Sequence, residues 1–423
     1  MKHRVLATAA ALSILAVAVA LNVYSDQSPG AASQKPAAKQ AASAQPGTDL
    51  SARPTAAGDT VGEARFAWYL FLQAMAPANG PIGPLAFETW TEQCQLNPSM
   101  IGCPTALTSK ARLLHGSALA RKIVAAKAGA TVAGIECNPM TTGSLGGYPA
   151  PSNVVPTATF CEEVFVNPAE ASFVTTNGLT TLSGQQTYGN ASGGAITFPW
   201  DAVEIKADWV PASSYTPTRT FKCPDTTGSL YTEVINGTCY ALVGLHISSK
   251  VLPNWLWATF EPNSSITNPN RCDPKLYDTC SDPWGTTSSK PYAKGEPVPP
   301  QSAQLKQAMA AAGLNKAFNN YYLTGVQTVF VSNGKAVPLG NSFVEFNAGV
   351  PPGQASCITC HRYAYFDGKK PPQGVPEDNF GGPPNGWPAV GYACNQNQTG
   401  NCTPVVPNST SQDFSWMLGL MPF

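Results

Sequence analysis

The apolar positions of this chain change their spacing along its length. Residues 63–76 read E-A-R-F-A-W-Y-L-F-L-Q-A-M-A, an apolar run longer than ordinary strands and closed by Pro77. It predicts a helix over Glu63–Ala76. A second helix is predicted from Ser109 to Ala128, with Gly129 as its C-cap candidate. From about residue 155 to 262 the pattern turns to short β-branched and aromatic runs between turn residues, which predicts strands. Val203–Trp209 alternates well enough for one strand. Tyr231–Ile235, then Asn236-Gly237, then Cys239–Ser248 predicts a hairpin, because Asn-Gly tolerates the positive φ of a two-residue turn. Leu256–Phe260 predicts another strand, 262–300 a loop, Ser302–Ala312 a helix with Gly313 as its cap, and Gln327–Val331 a short strand. The sum is an α+β fold: an antiparallel sheet body with flanking helices over residues 61–345, loop-rich, followed by a C-terminal segment, 346–423.

The N-terminus has a different texture. Lys2 and Arg4 precede an uncharged, mostly apolar run from Val5 to Tyr24, and the first acidic residue is Asp26. A basic start before an apolar run reads as an export signal, with Ala18-Val19-Ala20 as a small-residue cleavage site. The run is also long enough to stay as a membrane anchor, since about 20 apolar residues span a bilayer. With Lys2 and Arg4 kept inside, residues 1–26 place the rest of the chain in the periplasm either way, cleaved or tethered to the inner membrane. Residues 27–60 are rich in Ala, Pro, Gln and Ser and predict a disordered linker. Such a tether fits a retained anchor.

Composition narrows the function classes. Charged residues are 12% of the chain, and 25 basic balance 25 acidic ones, so nothing marks a nucleic-acid surface. The 39 prolines and 37 glycines fit a chain of turns and ordered loops. Twelve cysteines occur, and ten of them fall into neighbouring pairs: 94/103, 137/161, 223/239, 272/280 and 394/402. In an oxidising compartment that pattern predicts up to five disulfides, each stapling one loop. Several zinc sites built on these ten cysteines would need histidines or more closely spaced cysteines, and only four histidines are present, so disulfides are expected instead.

The remaining two cysteines lie in Cys357-Ile358-Thr359-Cys360-His361, the C-x-x-C-H sequence of haem c attachment. Two thiols three positions apart, on one turn of helix, reach the two vinyl groups along one porphyrin edge. The adjacent histidine then supplies the proximal iron ligand. One covalent haem c is therefore expected at Cys357 and Cys360, with His361 on iron. The second axial position is open between His246, Met417 and Met421, with His115 a weaker candidate and a five-coordinate iron a further alternative. His246 lies in G-L-H-I-S-S-K between apolar residues, where a buried, satisfied histidine is the commoner outcome. The two methionines equally suit the packing of a terminal helix. Trp209, Trp255 and Trp257 could line a site, though aromatic strand residues are usually core.

V-E-I-K-A-D-W (203–209), G-L-H-I-S-S-K-V-L-P-N-W-L-W-A-T-F-E (244–261) and S-C-I-T-C-H-R (356–362) occur in that order. In this the chain resembles a group of bacterial cytochrome c family proteins over roughly residues 60–423. The resemblance implies a single c-type haem at the end of a large body, and raises His246 as a distal or pocket residue. Many members read F-E-H where this chain has Phe260-Glu261-Pro262, so any role of that histidine is absent here. Two functions follow as expectations. One is single-electron transfer to a periplasmic or membrane redox partner. The other is a haem-dependent periplasmic oxidoreductase acting on a small molecule in the large body, since far fewer residues suffice to wrap a haem. No G-x-S-x-G, H-E-x-x-H or P-loop is present.

Overall fold

The computed structural model describes residues 49–80, 83–96, 114, 137–140, 144–145, 148–149, 153–264, 272, 280–288, 298–332, 335–348, 355–362, 364–366 and 410–419. The expected helix over Ser109–Ala128, the signal or anchor over 1–26 and most of the linker lie outside these residues. Among the described residues no helix is long and apolar enough to cross a membrane.

The helices are α1 (Thr60–Met75), α2 (Gln93–Leu96), α3 (Pro168–Thr176), α4 (Leu182–Ala191), α5 (Ala303–Ala311), α6 (Val344–Ala348), α7 (Cys357–His361) and α8 (Trp416–Gly419). Helix α1 stops before Pro77, as the sequence implies, and starts at Thr60 rather than Glu63, where the Asp59 side chain accepts from the Gly62 amide. Ser302 caps α5 in the same way, through Leu305, and Gly313 follows it at a φ of 67°. Helices α3 and α4 were not expected inside the β-rich stretch. They carry no strong apolar stripe. Asn167 and Thr181 cap their first turns, and Pro168 stands at the first helical position of α3.

The strands are β1 (Thr91–Glu92), β2 (Asn138–Pro139), β3 (Ser144–Leu145), β4 (Tyr148–Pro149), β5 (Thr159–Val166), β6 (Val203–Pro211), β7 (Thr232–Ile235), β8 (Thr238–Ser249), β9 (Leu256–Pro262), β10 (Tyr321–Gln327), β11 (Val331–Ser332), β12 (Lys335–Ala336), β13 (Tyr365–Phe366) and β14 (Thr410–Ser411). Eight form one antiparallel sheet in the order β1-β5-β6-β8-β9-β10, with β2 on β5 and β7 on β8. The hairpin β7–β8 turns at Asn236 and Gly237, both at positive φ, as its sequence requires. The last strand differs from expectation. It runs over Tyr321–Gln327, and only Val331–Ser332 of the following stretch pairs, with β12.

The two faces of this sheet are covered differently. Ile205, Ala207, Leu245, Ile247, Ala258, Phe260 and Leu323 alternate onto one face and pack with Trp68, Phe71 and Leu72 of α1 in the main core. Trp209 belongs to this side as well, away from the C-x-x-C-H motif. On the other face Val164, Val166 and Trp257 pack with Cys357, Ile358, Phe414 and Met417, so α7 and α8 lie against the sheet rather than apart from it. Three disulfides join Cys137 to Cys161, Cys223 to Cys239 and Cys272 to Cys280, all nearest neighbours in sequence. Cys94 is also disulfide-bonded, while Cys103, Cys394 and Cys402 lie outside the described residues.

Candidate functional site

The strand alternation that buries one apolar face points the intervening polar residues at the segment carrying the motif. Glu204, Lys206 and Asp208 of β6 alternate with core residues. Lys206 is the direct cross-strand partner of His246 on β8, and His246 of Thr259 on β9. Glu162 of β5 faces Asp208 across the β5–β6 ladder. Glu162, Asp208 and Thr259 are buried. Lys206 is paired with Glu162 at 3.5 Å. Burial, followed by the Glu162 charge, holds the Asp208 carboxyl well above the usual carboxylate range.

Helix α7 is seated on this face by Gln327 at the end of β10. The Gln327 side chain accepts from the Ile358 amide at 2.9 Å and donates to Ser356 Oγ at 3.0 Å and to the Val337 carbonyl. A helix start leaves its first amides without partners inside the helix, and this carboxamide satisfies one of them. No sequence signal marks Gln327 for this work. The same helical turn brings Cys357 and Cys360 three positions apart, and neither is in a disulfide. Burial pushes the Cys357 thiol well above its ordinary range.

His361 ends the helix. Its Nδ1 lies 2.8 Å from the Phe414 carbonyl oxygen. A carbonyl only accepts, so Nδ1 carries the proton and Nε2 presents its lone pair. Burial lowers the imidazole pKa to about 3, so the ring is neutral. The Trp257 ring lies 4.4 Å from the imidazole, centroid to centroid, and the Arg362 guanidinium stands 5.8 Å from the centre of the Phe414 ring. Trp255 stacks on Trp257 at 6.0 Å.

Of the candidates for the second axial position, His246 lies in β8 beside Cys357 rather than elsewhere on the sheet, with Nε2 3.4 Å from Glu345 Oε1 on α6. Met417 is fully buried in the apolar cluster that holds Cys357, Trp257 and Phe414. Met421 and His115 lie outside the described residues. Asp208 and Lys206 were missed as neighbours of the motif, because a strand reading assigns alternate polar positions to solvent, and Glu345 because no element was expected over Val344–Ala348.

The donor set fits a covalently attached haem. Two thiols share one helical turn, that of Cys357 packed with tryptophan and phenylalanine, and a neutral histidine is held by its Nδ1 with Nε2 available. An outer partner of this kind is what fixes the tautomer of a metal-ligating histidine. Comparisons of the chain with protein-family models, with curated proteins and with solved structures find no match.

Proposed function

We propose that this chain is an exported c-type cytochrome, with one haem held by Cys357 and Cys360 and ligated on iron by His361. It passes single electrons to a periplasmic or membrane-bound redox partner. The observation that carries the reading is the hydrogen bond of His361 to Phe414 on a helix that also bears both thiols. When bound, haem c supplies a one-electron couple whose potential depends on its axial ligands and on burial. The likeness to bacterial cytochrome c family proteins supports the same cofactor and location. In this reading Gln327 positions the motif helix, Phe414 orients the proximal imidazole, and Trp257 and Phe414 exclude water from it. His246, Met417 and Met421 are the candidates for the second axial ligand.

The test is covalent retention. Full-length protein is made in a host that attaches haem c, then extracted with acidified acetone. Haem stays with the wild-type chain, gives a c-type pyridine haemochrome, and is lost in a Cys357→Ala, Cys360→Ala variant. Wild-type protein without covalent haem overturns the proposal.

A second reading, a haem-dependent oxidoreductase acting on a small molecule, is favoured by one observation. Glu162, Lys206, Asp208, His246 and Glu345 form a largely buried ionisable group beside the motif, more than electron transfer alone requires. A high-spin spectrum with carbon monoxide binding supports this enzyme; a six-coordinate spectrum unchanged by carbon monoxide supports the electron carrier.

A further inference from the structure

We infer that the chain, before any haem is attached, holds one divalent transition-metal ion of the zinc type between His246, Glu345 and Cys357. The three residues come from β8, α6 and α7. One donor atom from each (an imidazole nitrogen, a carboxylate oxygen and the thiol sulfur) lies within 4.8 Å of the other two. The site goes beyond the haem reading and rests on it in one respect only: a thioether at Cys357 removes the thiolate, so metal and haem exclude each other.

Three features make this a built site rather than a chance meeting. First, His246 Nε2 is buried, has no hydrogen-bond partner among the described residues and lies 3.4 Å from Glu345 Oε1. A buried ring nitrogen without a hydrogen bond is costly unless something else fills the role.

Second, Glu345 is oriented. Its Oε2 accepts from the Asn341 amide, which leaves Oε1 directed at His246. Asn341 is itself fixed. Its side chain donates to Thr259 Oγ1 at 2.8 Å and to the Phe260 carbonyl at 3.1 Å, and accepts from the amides of Phe343 at 2.8 Å and Val344 at 3.2 Å. A Cβ on Gly244 would stand 2.6 Å from Asn341 Oδ1, so the close approach of this support to β8 depends on glycine. Supports of this kind set the geometry of metal ligands.

Third, the charges match. A thiolate, a carboxylate and a neutral imidazole sum to the charge that neutralises a divalent cation in a buried place. The mixed nitrogen, oxygen and sulfur donors suit zinc or cobalt over magnesium or calcium. Lys206, across the ladder from His246, is the opposing charge, and it is engaged by Glu162 at 3.5 Å. The side chains of His246 and Glu345 are 18% and 11% exposed, so the three donors lie at the margin of the buried face rather than deep in the core. Binding displaces the thiol proton of Cys357 to solvent.

Cobalt(II) is the probe. Full-length chain produced without haem is titrated with cobalt(II), and the thiolate-to-cobalt charge-transfer absorption is followed. One equivalent binds. Cys357→Ser abolishes the band, His246→Gln and Glu345→Gln each weaken binding tenfold or more, and Cys360→Ser leaves it intact. X-ray absorption of the wild-type cobalt complex counts one sulfur ligand, a readout that needs no variant. Two sulfur ligands, or a band lost equally in Cys360→Ser, would place the ion in the C-x-x-C turn and overturn the inference, as would a band untouched by His246→Gln and Glu345→Gln. Protein carrying covalent haem shows no thiolate-to-cobalt band. If exported protein carries no haem while the haem-free chain binds cobalt as stated, the cytochrome reading fails and the metal site stands.

Discussion

The imidazole of His361 donates from Nδ1 to the carbonyl oxygen of Phe414, 2.8 Å away and 53 residues further along the chain. A bond between groups so distant in sequence makes the terminal segment part of the site. Residues 410–419 return to the sheet and hold the histidine by main chain, so no side-chain substitution removes the acceptor itself. What can be removed is the anchor that keeps it in place.

Phe414 is that anchor. Its ring is buried against Phe330 at 6.3 Å and Trp257 at 6.4 Å. Phe414→Ala is expected to cost about 3–5 kcal/mol of unfolding free energy. In haem-loaded protein it loosens the hold on His361. Urea denaturation measures the first effect, and the ligand-sensitive visible spectrum the second.

Glu170 predicts a rise in stability on neutralisation. It is fully buried with its carboxyl against that of Glu204, where one of the two must carry a proton for them to share a hydrogen bond. Burial, then the Glu204 charge, raises its pKa well above the ordinary value. The folded state thus binds the proton more tightly than the unfolded chain. The stability it contributes is complete below the unfolded pKa of about 4.3 and is lost as pH rises through the folded value. Glu170→Gln is expected to add about 1–3 kcal/mol at neutral pH and little at pH 4. Denaturation midpoints that drop at both pH values would refute this account.

Asp282 sets a pH window bounded on both sides. Burial raises its pKa to about 6, against hydrogen bonds from Gly285 and from Trp68 Nε1, each at 2.6 Å. Its folded pKa lies above the unfolded value of about 3.9. Stability therefore falls as pH climbs from about 4 through about 6, and Asp282→Asn flattens that part of the profile. Trp68→Phe deprives the carboxylate of a donor and is expected to cost about 1.5–3 kcal/mol above pH 6. Thermal unfolding across that range distinguishes the two variants.

The hairpin disulfide Cys223–Cys239 closes a sequence separation of 16 residues. Replacing both cysteines by serine is expected to cost about 3 kcal/mol, mainly by freeing the unfolded chain. Guanidinium titrations of the variant and of wild type, each without reductant, read the difference.

Much of the fold was legible in local sequence because local chemistry decides it. Asn236-Gly237 can adopt positive φ and so makes the β7–β8 turn. Pro77 and Gly313 mark helix ends through groups within a few residues. The three disulfides joining neighbours in sequence obey the same logic. Helices α3 and α4 were not legible, because their capping residues also suit turns and their weak apolar faces gave no period to detect. The strand Tyr321–Gln327 was displaced in the sequence reading, because Y-Y-L-T-G-V-Q carries a glycine where its ladder with β9 shifts register.

The sequence by itself determined the chemistry on offer: two thiols and a histidine at haem-attachment spacing, cysteines in stapling pairs, and strands with unlike faces. Alternation along V-E-I-K-A-D-W states that Glu204, Lys206 and Asp208 share a face, and nothing in the sequence states what covers it. Only the tertiary structure decided that this polar face is packed under α6 and α7 rather than left to water. It likewise placed His246 between Lys206, Glu345 and Cys357, and Phe414 above His361. The reason is physical. Capping, turns and periodicity act within a few residues, whereas the surroundings of a buried ionisable group are supplied by segments a hundred residues apart, and they meet only when the sheet is assembled.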